Sequence, residues 1–389
     1  MTEVPLGELC DIRIGRTPSR SEARYWGGDA PWLAISDLKS AVVTSTSEGI
    51  TQAGIDECRC MLIPEGTVVV SFKLTLGKAA ILGRPMYTNE AIAALEIKDT
   101  ANISRPYLFW AIQHAPFSRV SERAVKGATL NTGQLRRLPI AVPNRDEQER
   151  IVRAMDGAST LVRKAREGVQ GCRALNRSTF IEHFGDPVSN PHRHEVRSIG
   201  EICGDADIVD GPFGSSLKPE CYVESGVRVI RNANVRENEF DGAEFKYITP
   251  DKFREIDRSE VRAGDLLLTI KGTIGRVCVM PELAGPSVLS ASGTVRVRLP
   301  EKVLPDFVSS QIISSDYQRY LRRFEAGTNQ KYLNLSVIRR LEIIIPPLEL
   351  QQRFVETLTQ IRALKSKLTA SLAEAEALYR SLSHQFFGA

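Results

Sequence analysis

Two stretches of this 389-residue chain concentrate side chains able to read the edges of nucleobases. IRIGRTPSRSEARYW carries Arg13, Arg16, Arg20 and Arg24 ahead of Tyr25 and Trp26. The other has Lys218, then VRVIRNANV with Arg228, Arg231, Asn232 and Asn234. In a major groove arginine matches the two acceptors of guanine, and asparagine the donor and acceptor of adenine, so both stretches are equipped for base readout. The competing reading is a set of solvated loop charges. Further cations flank glycine: Lys73 and Lys78 in SFKLTLGKAA, Lys271 and Arg276 in TIKGTIGRVC. Glycine lets a backbone come close to a phosphate and a neighbouring cation adds attraction, the alternative being an exposed hairpin tip. A third group, Lys126, Thr129 and Asn131, with Thr328, Asn329, Gln330, Lys331 and Asn334, forms polar loops suited to a groove.

Nothing in the chain assembles into a catalytic set. In the LGKAA segment Phe72 stands where a phosphate loop needs its first glycine, and Ala79 replaces the Ser or Thr. Glu244-Phe245-Lys246 has the Glu-x-Lys spacing of some nucleases, but it lies in a polar stretch and is read as coincidence. The Asn/Asp-Pro-Pro-aromatic run of amino-methyltransferases is absent, and the five histidines are dispersed, His192 and His194 falling in the linker-like NPHRHEV. Cys58 and Cys60 are too close for a zinc knuckle and no matching pair follows, so no metal is expected and the seven cysteines are read as reduced thiols. A non-catalytic chain without a cofactor of its own is the expectation. The net charge of +4 permits nucleic-acid binding without indicating it. No apolar run approaches the ~20 residues of a membrane span, and the N-terminus lacks a secretory pattern, so a cytoplasmic location is expected.

The elements that position these residues are written twice. LNTGQLRRLPIAVP begins at position 130 and LNLSVIRRLEIIIP at 333, and over 23 residues from those points ten are identical at an offset of 203. Upstream, LGELC answers to IGEIC, and GTVVVSFKLTLGKAAIL to GDLLLTIKGTIGRVCVM. A repeat this long is a duplicated domain, not a solenoid unit. Arg136, Arg137, Arg339 and Arg340 recur in both copies, which points to scaffold or generic phosphate contact instead of base reading.

Each copy reads as strand, turn and strand at 66–82 or 264–280, then an amphipathic helix at 106–123 or 305–324, then a short apolar strand closed by proline. Beyond that proline, apolar residues recur in steps of four and three from Ile151 to Thr179 and again from Phe354 to Leu382, the seam of a coiled coil. Gly157, Gly168 and Gly171 weaken the first of these helices, whose natural partner is the second, antiparallel to it if a pseudo-twofold relates the two copies. The alternative is two long surface helices that each pack on their own domain. The predicted architecture is α+β: two tandem mixed domains (1–143 and 187–346), a central helix (144–186) and a C-terminal helix (347–389), related by a pseudo-twofold.

This plan, and above all the junctions GATLNTGQLRRLPIAVPNRDEQERIV and LNLSVIRRLEIIIPPLELQQRFV, resembles the specificity subunit of type I restriction-modification systems. RTPSRSEARYWGGDAPWL, GPFGSSLK and VIRNANV look like that family's opening loops; Pro143-Asn144 departs from its usual double proline. The resemblance implies a bacterial or archaeal DNA reader in which each mixed domain is a target-recognition domain for one half of a split double-stranded site. It implies that the helices set the spacing. Its partners would be two methyltransferase subunits using S-adenosylmethionine, joined by two motor-nuclease subunits where restriction is carried out. A protein-binding scaffold without DNA specificity is the rival reading.

Overall fold

The computed structural model describes residues 2–120, 130–212, 214–291, 293–327 and 331–388. It divides into two compact units, Met1–Arg166 with Ala370–Ala389, and Glu167–Thr369. Each holds one mixed domain together with a portion of both long helices, Arg145–Phe184 and Leu348–Phe387.

The first unit is organised by the strand Val68–Ser71, whose four residues are all buried. Alternate side chains of a strand point to opposite faces, and a strand covered on both faces is apolar along most of its length. Val68 and Val70 accordingly join the core under the helix Arg105–Gln113, while Val69 joins a second apolar layer with Ala80, Ala94 and Leu33. Around it lies a five-stranded sheet in the order Cys10–Ile14, Ile92–Ile97, Val68–Ser71, Ala79–Leu82 and Val42–Val43. A smaller sheet contains Trp26–Leu33 between Glu48–Ile50 and Tyr87–Thr88. The second unit repeats the scheme: Leu266 and Leu268 face one core and Leu267 another, in a four-stranded sheet of Ile208–Asp210, Thr294–Val297, Leu266–Thr269 and Val277–Val279.

The long helices run antiparallel within each unit. In the first, Arg166 pairs with Glu376 and the Arg150 guanidinium lies 5.1 Å from the Phe386 ring. In the second, Phe180 packs on Phe354 at 5.7 Å, and a Cβ added at Gly168 would meet Leu368 at 3.2 Å. Gly168 thus permits close approach, whereas Gly157 and Gly171 face open space. Every seam residue, Ile151 to Thr179 and Phe354 to Leu382 in steps of four and three, is buried or half-buried.

One expectation is corrected. The segment 305–324 is two helices, Pro305–Ile313 and Ser315–Arg322, broken at Ser314. Ser314 is extended (φ −61°, ψ 149°) and its Oγ accepts the amide of Tyr317, so a cap interrupts what periodicity alone reads as continuous. Likewise the helix predicted over 106–123 ends at Gln113, ahead of a short 3-10 turn Phe117–Arg119.

Candidate nucleic-acid interface

The repeated phrases are scaffold, and their contacts explain the repetition. Asn131 and Asn334 are helix N-caps, accepting the amides of Gln134 at 2.8 Å and Val337 at 2.9 Å. The short strands Thr2–Pro5 and Glu195–Ser198 pair with Pro139–Val142 and Glu342–Ile345. This brings LGELC and IGEIC against the paired arginines, where a Cβ at Gly7 or Gly200 would come within 3.1 Å of the Cβ of Arg136 or Arg339. At each domain–helix junction a glutamine is fully buried. Gln148 accepts the amide of Ser104 and donates to the carbonyls of Asn102 and Pro143. Gln351 accepts the amide of Leu304 and donates to Lys302 and Pro346. These are the same three bonds in both copies, and they latch each long helix to its mixed domain. Asn144, the departure from a double proline, caps the first long helix by accepting the amide of Glu147 at 2.9 Å.

The glycine-flanked turns are built alike. The Ser71 hydroxyl donates to the Thr75 carbonyl and accepts the Lys78 amide at 3.1 Å, and Gly77 returns its amide to the Ser71 carbonyl at 3.0 Å. Thr269, Thr273, Arg276 and Gly275 make the corresponding bonds. Gly77 and Gly275 sit at φ +81° and +82°, a region that costs a side-chain-bearing residue energy. On these rigid turns Lys73, Lys78, Lys271 and Arg276 have no ion pair among the described residues. They are cations available to a phosphate.

The opening loops look different. Arg13 lies on the strand Cys10–Ile14, not on a loop, and pairs with Glu96 at 2.9 Å. Arg20 makes two bonds to Glu48, at 2.5 and 3.0 Å, and stacks 3.8 Å over Trp26. Arg24 makes two 2.7 Å bonds to Glu57, which also accepts the Tyr25 hydroxyl. The Arg20 hydrogen bond holds the Glu48 carboxyl below its ordinary range, and the Tyr25 and Arg24 bonds do the same for Glu57. Three of the four proposed guanine readers are therefore already paired with carboxylates that composition alone does not reveal. Arg16 is exposed, and its guanidinium bonds only the Cys58 carbonyl, at 3.3 Å, among the described residues. Asn234 is the clearest correction. Its side chain is 2% exposed, accepts the Arg231 amide and donates to the carbonyls of Asp241 and Glu244, so it staples its own loop and cannot face a base.

The second unit gathers several candidates. The Asn232 amide donates to the Lys271 carbonyl at 3.0 Å and accepts from Thr294, and Lys271 bridges to Tyr332, next to Lys331. Arg231 is half-buried with Glu244 at 3.6 Å, and Lys331 pairs with Glu325 at 2.9 Å. Exposed Lys218 has no hydrogen bond or ion pair to this cluster among the described residues. In the first unit the Arg16 amide bonds Thr88 and the Phe72 amide bonds Ala91, so opening loop and turn border one segment. Lys126, Thr129, Thr328, Asn329 and Gln330 lie outside the described residues. Two residues escaped the sequence reading. Tyr332 is 38% exposed beside Lys271, and Leu74 is 71% exposed at the tip of the first turn. The signal for Leu74 was present, since the second copy has Gly272 there.

Duplicated mixed domains with cationic turns, each latched to a long helix, make up the two units, and no group of three or more His, Cys, Asp or Glu that could hold a metal ion occurs among the described residues. The family model described as the type I restriction modification DNA specificity domain matches residues 1–164 and 195–375, and the chain belongs to that family, the non-catalytic specificity subunits. It is 25% identical over 371 residues to the MjaIX specificity subunit of Methanocaldococcus jannaschii, covering 89% of this chain and 83% of that protein. It is 29% identical over 176 residues to the EcoR124I/EcoR124II specificity subunit of Escherichia coli, 42% of each chain. The fold is similar to the S subunit from M. genitalium, with a TM-score of 0.58, 11% identity and coverage of 98% of this chain and 94% of that one. A chain from a solved type I restriction-modification system aligns with a TM-score of 0.60, 18% identity and coverage of 99% and 97%.

Proposed function

We propose that each mixed domain, 1–143 and 187–346, reads one half of a split double-stranded DNA site, while the paired helices, 144–186 and 347–389, hold the half-sites at a set spacing. The observation that carries this is the duplicated rigid turn, with Lys73 and Lys78 in one copy and Lys271 and Arg276 in the other, all without ion pairs among the described residues. Backbone contacts position a reader and base contacts specify. The turns supply the former; Arg16, Lys218, Arg231 and Asn232 are the remaining candidates for the latter. A second site linked to the first binds as an intramolecular event, which is what two modest domains need for a long split target.

The helices also offer docking surfaces for partner subunits. Leu161 and Leu378 in the first unit are 52% and 45% exposed, and Leu175 and Leu364 in the second are 46% and 48% exposed. The four fall at one heptad position beside the seam, and the pairs Leu161/Leu364 and Leu175/Leu378 are equivalent at the offset of 203. An apolar edge written identically in each unit suits one partner present in two copies. We assign that partner as the methyltransferase subunit, which brings S-adenosylmethionine and modifies adenine in the cytoplasm of a bacterium or archaeon. Motor-nuclease subunits join where restriction is carried out.

The test is single-molecule methylome sequencing of the host with and without this gene: a split adenine-methylated motif should vanish with it, and an unchanged methylome sinks the reading. For the purified complex, replacing Lys73, Lys78, Lys271 and Arg276 with glutamine should flatten the salt dependence of DNA binding by roughly 3–4 in log–log slope. A salt-insensitive complex would favour the protein-binding scaffold.

A further inference from the structure

Leu74 stands at the tip of the first cationic turn in a left-handed conformation, φ +66°, and is 71% exposed. Gly272, its counterpart, occupies the same region at φ +74°. Glycine adopts that conformation freely, whereas leucine there is strained by its Cβ against the following carbonyl. Strain at a special backbone position persists when something else rewards it. The reward is not packing, because so exposed a side chain buries little against its own domain. The flanking groups indicate what it meets: Lys73 on one side and Lys78 four residues on, on a turn locked by Ser71, neither with a carboxylate partner among the described residues. A polyanion brought to this turn by the lysines would meet a rigid apolar finger between them. The apolar group that double-stranded DNA displays in its major groove is the thymine methyl.

We propose that Leu74 is a specificity-determining residue of the first mixed domain that packs on a thymine methyl in its half-site. The second domain, with Gly272, reads without such a finger. This rests on the DNA-reading function above.

The complex with its methyltransferase partners is assayed on a library randomised across the split site. Wild type should prefer thymine at one position of one half-site, and replacing that thymine with uracil should lower methylation about fourfold, the worth of one buried methyl. Leu74→Gly should erase the thymine–uracil difference, leave the other half-site unchanged, and keep or raise the melting temperature because the strain is relieved. A thymine preference unaltered in Leu74→Gly, or a preference indifferent to uracil, overturns this inference alone. A melting temperature that falls clearly in Leu74→Gly overturns it too, since the leucine would then be packing within its own domain. A wild-type complex that methylates no split site overturns both this and the function it rests on.

Discussion

The two mixed domains share their joints and differ in how they hold their charges. Both latch a long helix through a buried glutamine, cap the preceding helix with asparagine and fold the same turn. Inside the sheet they part. In the second domain Asp265, 2% exposed, makes two 2.8 Å bonds to Arg298 and accepts the Arg262 amide, while buried Arg296 donates to the carbonyls of Glu260 and Ala206. In the first, the matching strand positions are Thr67, Ala94 and Glu96, and the two-bond arginine–carboxylate pairs lie on the exposed surface, where Glu48 and Glu57 hold Arg20 and Arg24. Residues common to both copies therefore mark what any such domain needs to hold a helix. Divergent residues mark where each arranges its own surface and sheet.

The largest effect should come from breaking the pairing that only one domain has. Asp265→Ala leaves the Arg298 guanidinium partly buried without its carboxylate, and breaking such a pair from one side costs about 3–5 kcal/mol. Thr67→Ala, at the equivalent place, should cost no more than about 1 kcal/mol. Peptide-resolved hydrogen exchange should show 260–298 opening in the Asp265 variant while 66–97 keeps its protection. Equal loosening of both domains would show that they do not unfold independently.

The shared joints should instead respond alike. Gln148→Ala and Gln351→Ala each strand buried backbone groups, at about 1–3 kcal/mol per group left unpaired. Exchange should rise at the first two turns of the corresponding long helix in each variant. If one domain tolerated the change and the other did not, the latches would not be equivalent despite identical bonding. Below these come the caps: Asn131→Ala and Asn334→Ala should each cost about 1 kcal/mol in denaturant titrations. Asn131→Ala keeps a reciprocal bond, because the Gln134 side chain accepts the Asn131 backbone amide at 2.9 Å, whereas the second copy has Val337 in that position.

The duplication, the seam and the turns were legible because each rests on local chemistry or period: Asn before a helix, Gly beside a turn, apolar residues in steps of four and three. The partners of the opening-loop arginines were not. Glu48, Glu57 and Glu96 lie 28, 33 and 83 residues from Arg20, Arg24 and Arg13, and nothing in a local window signals those meetings. Asn234 misled for a related reason. An asparagine able to read adenine is equally able to staple a loop, and only its burial decides between the two. Ser314 escaped because a cap inside an apolar period looks like one polar residue on a helix.

The smallest expected difference concerns acid. His114 of the first unit stacks on Phe387 at 5.0 Å, with the Tyr379 hydroxyl 3.3 Å from its Nε2, so it sits against the end of the second long helix. In the second unit His194 meets Phe184, at the end of the first long helix, edge-on at 6.0 Å. Burial lowers the pKa of both below the ordinary 6.5, and for His194 the neighbouring His192 adds to the lowering. The folded state then binds fewer protons than the unfolded chain in mild acid. Stability from these neutral rings is full above about pH 6.5 and declines as the pH falls through that value towards the lower folded one. Between pH 7.5 and 5.5, protection factors at 379–387 and at 180–184, taken relative to the intrinsic exchange rate at each pH, should therefore both fall, and His114→Phe should remove the dependence in the first unit only. A pH response at 379–387 that survived His114→Phe would place its origin in another group, and the two helix ends would no longer be comparable.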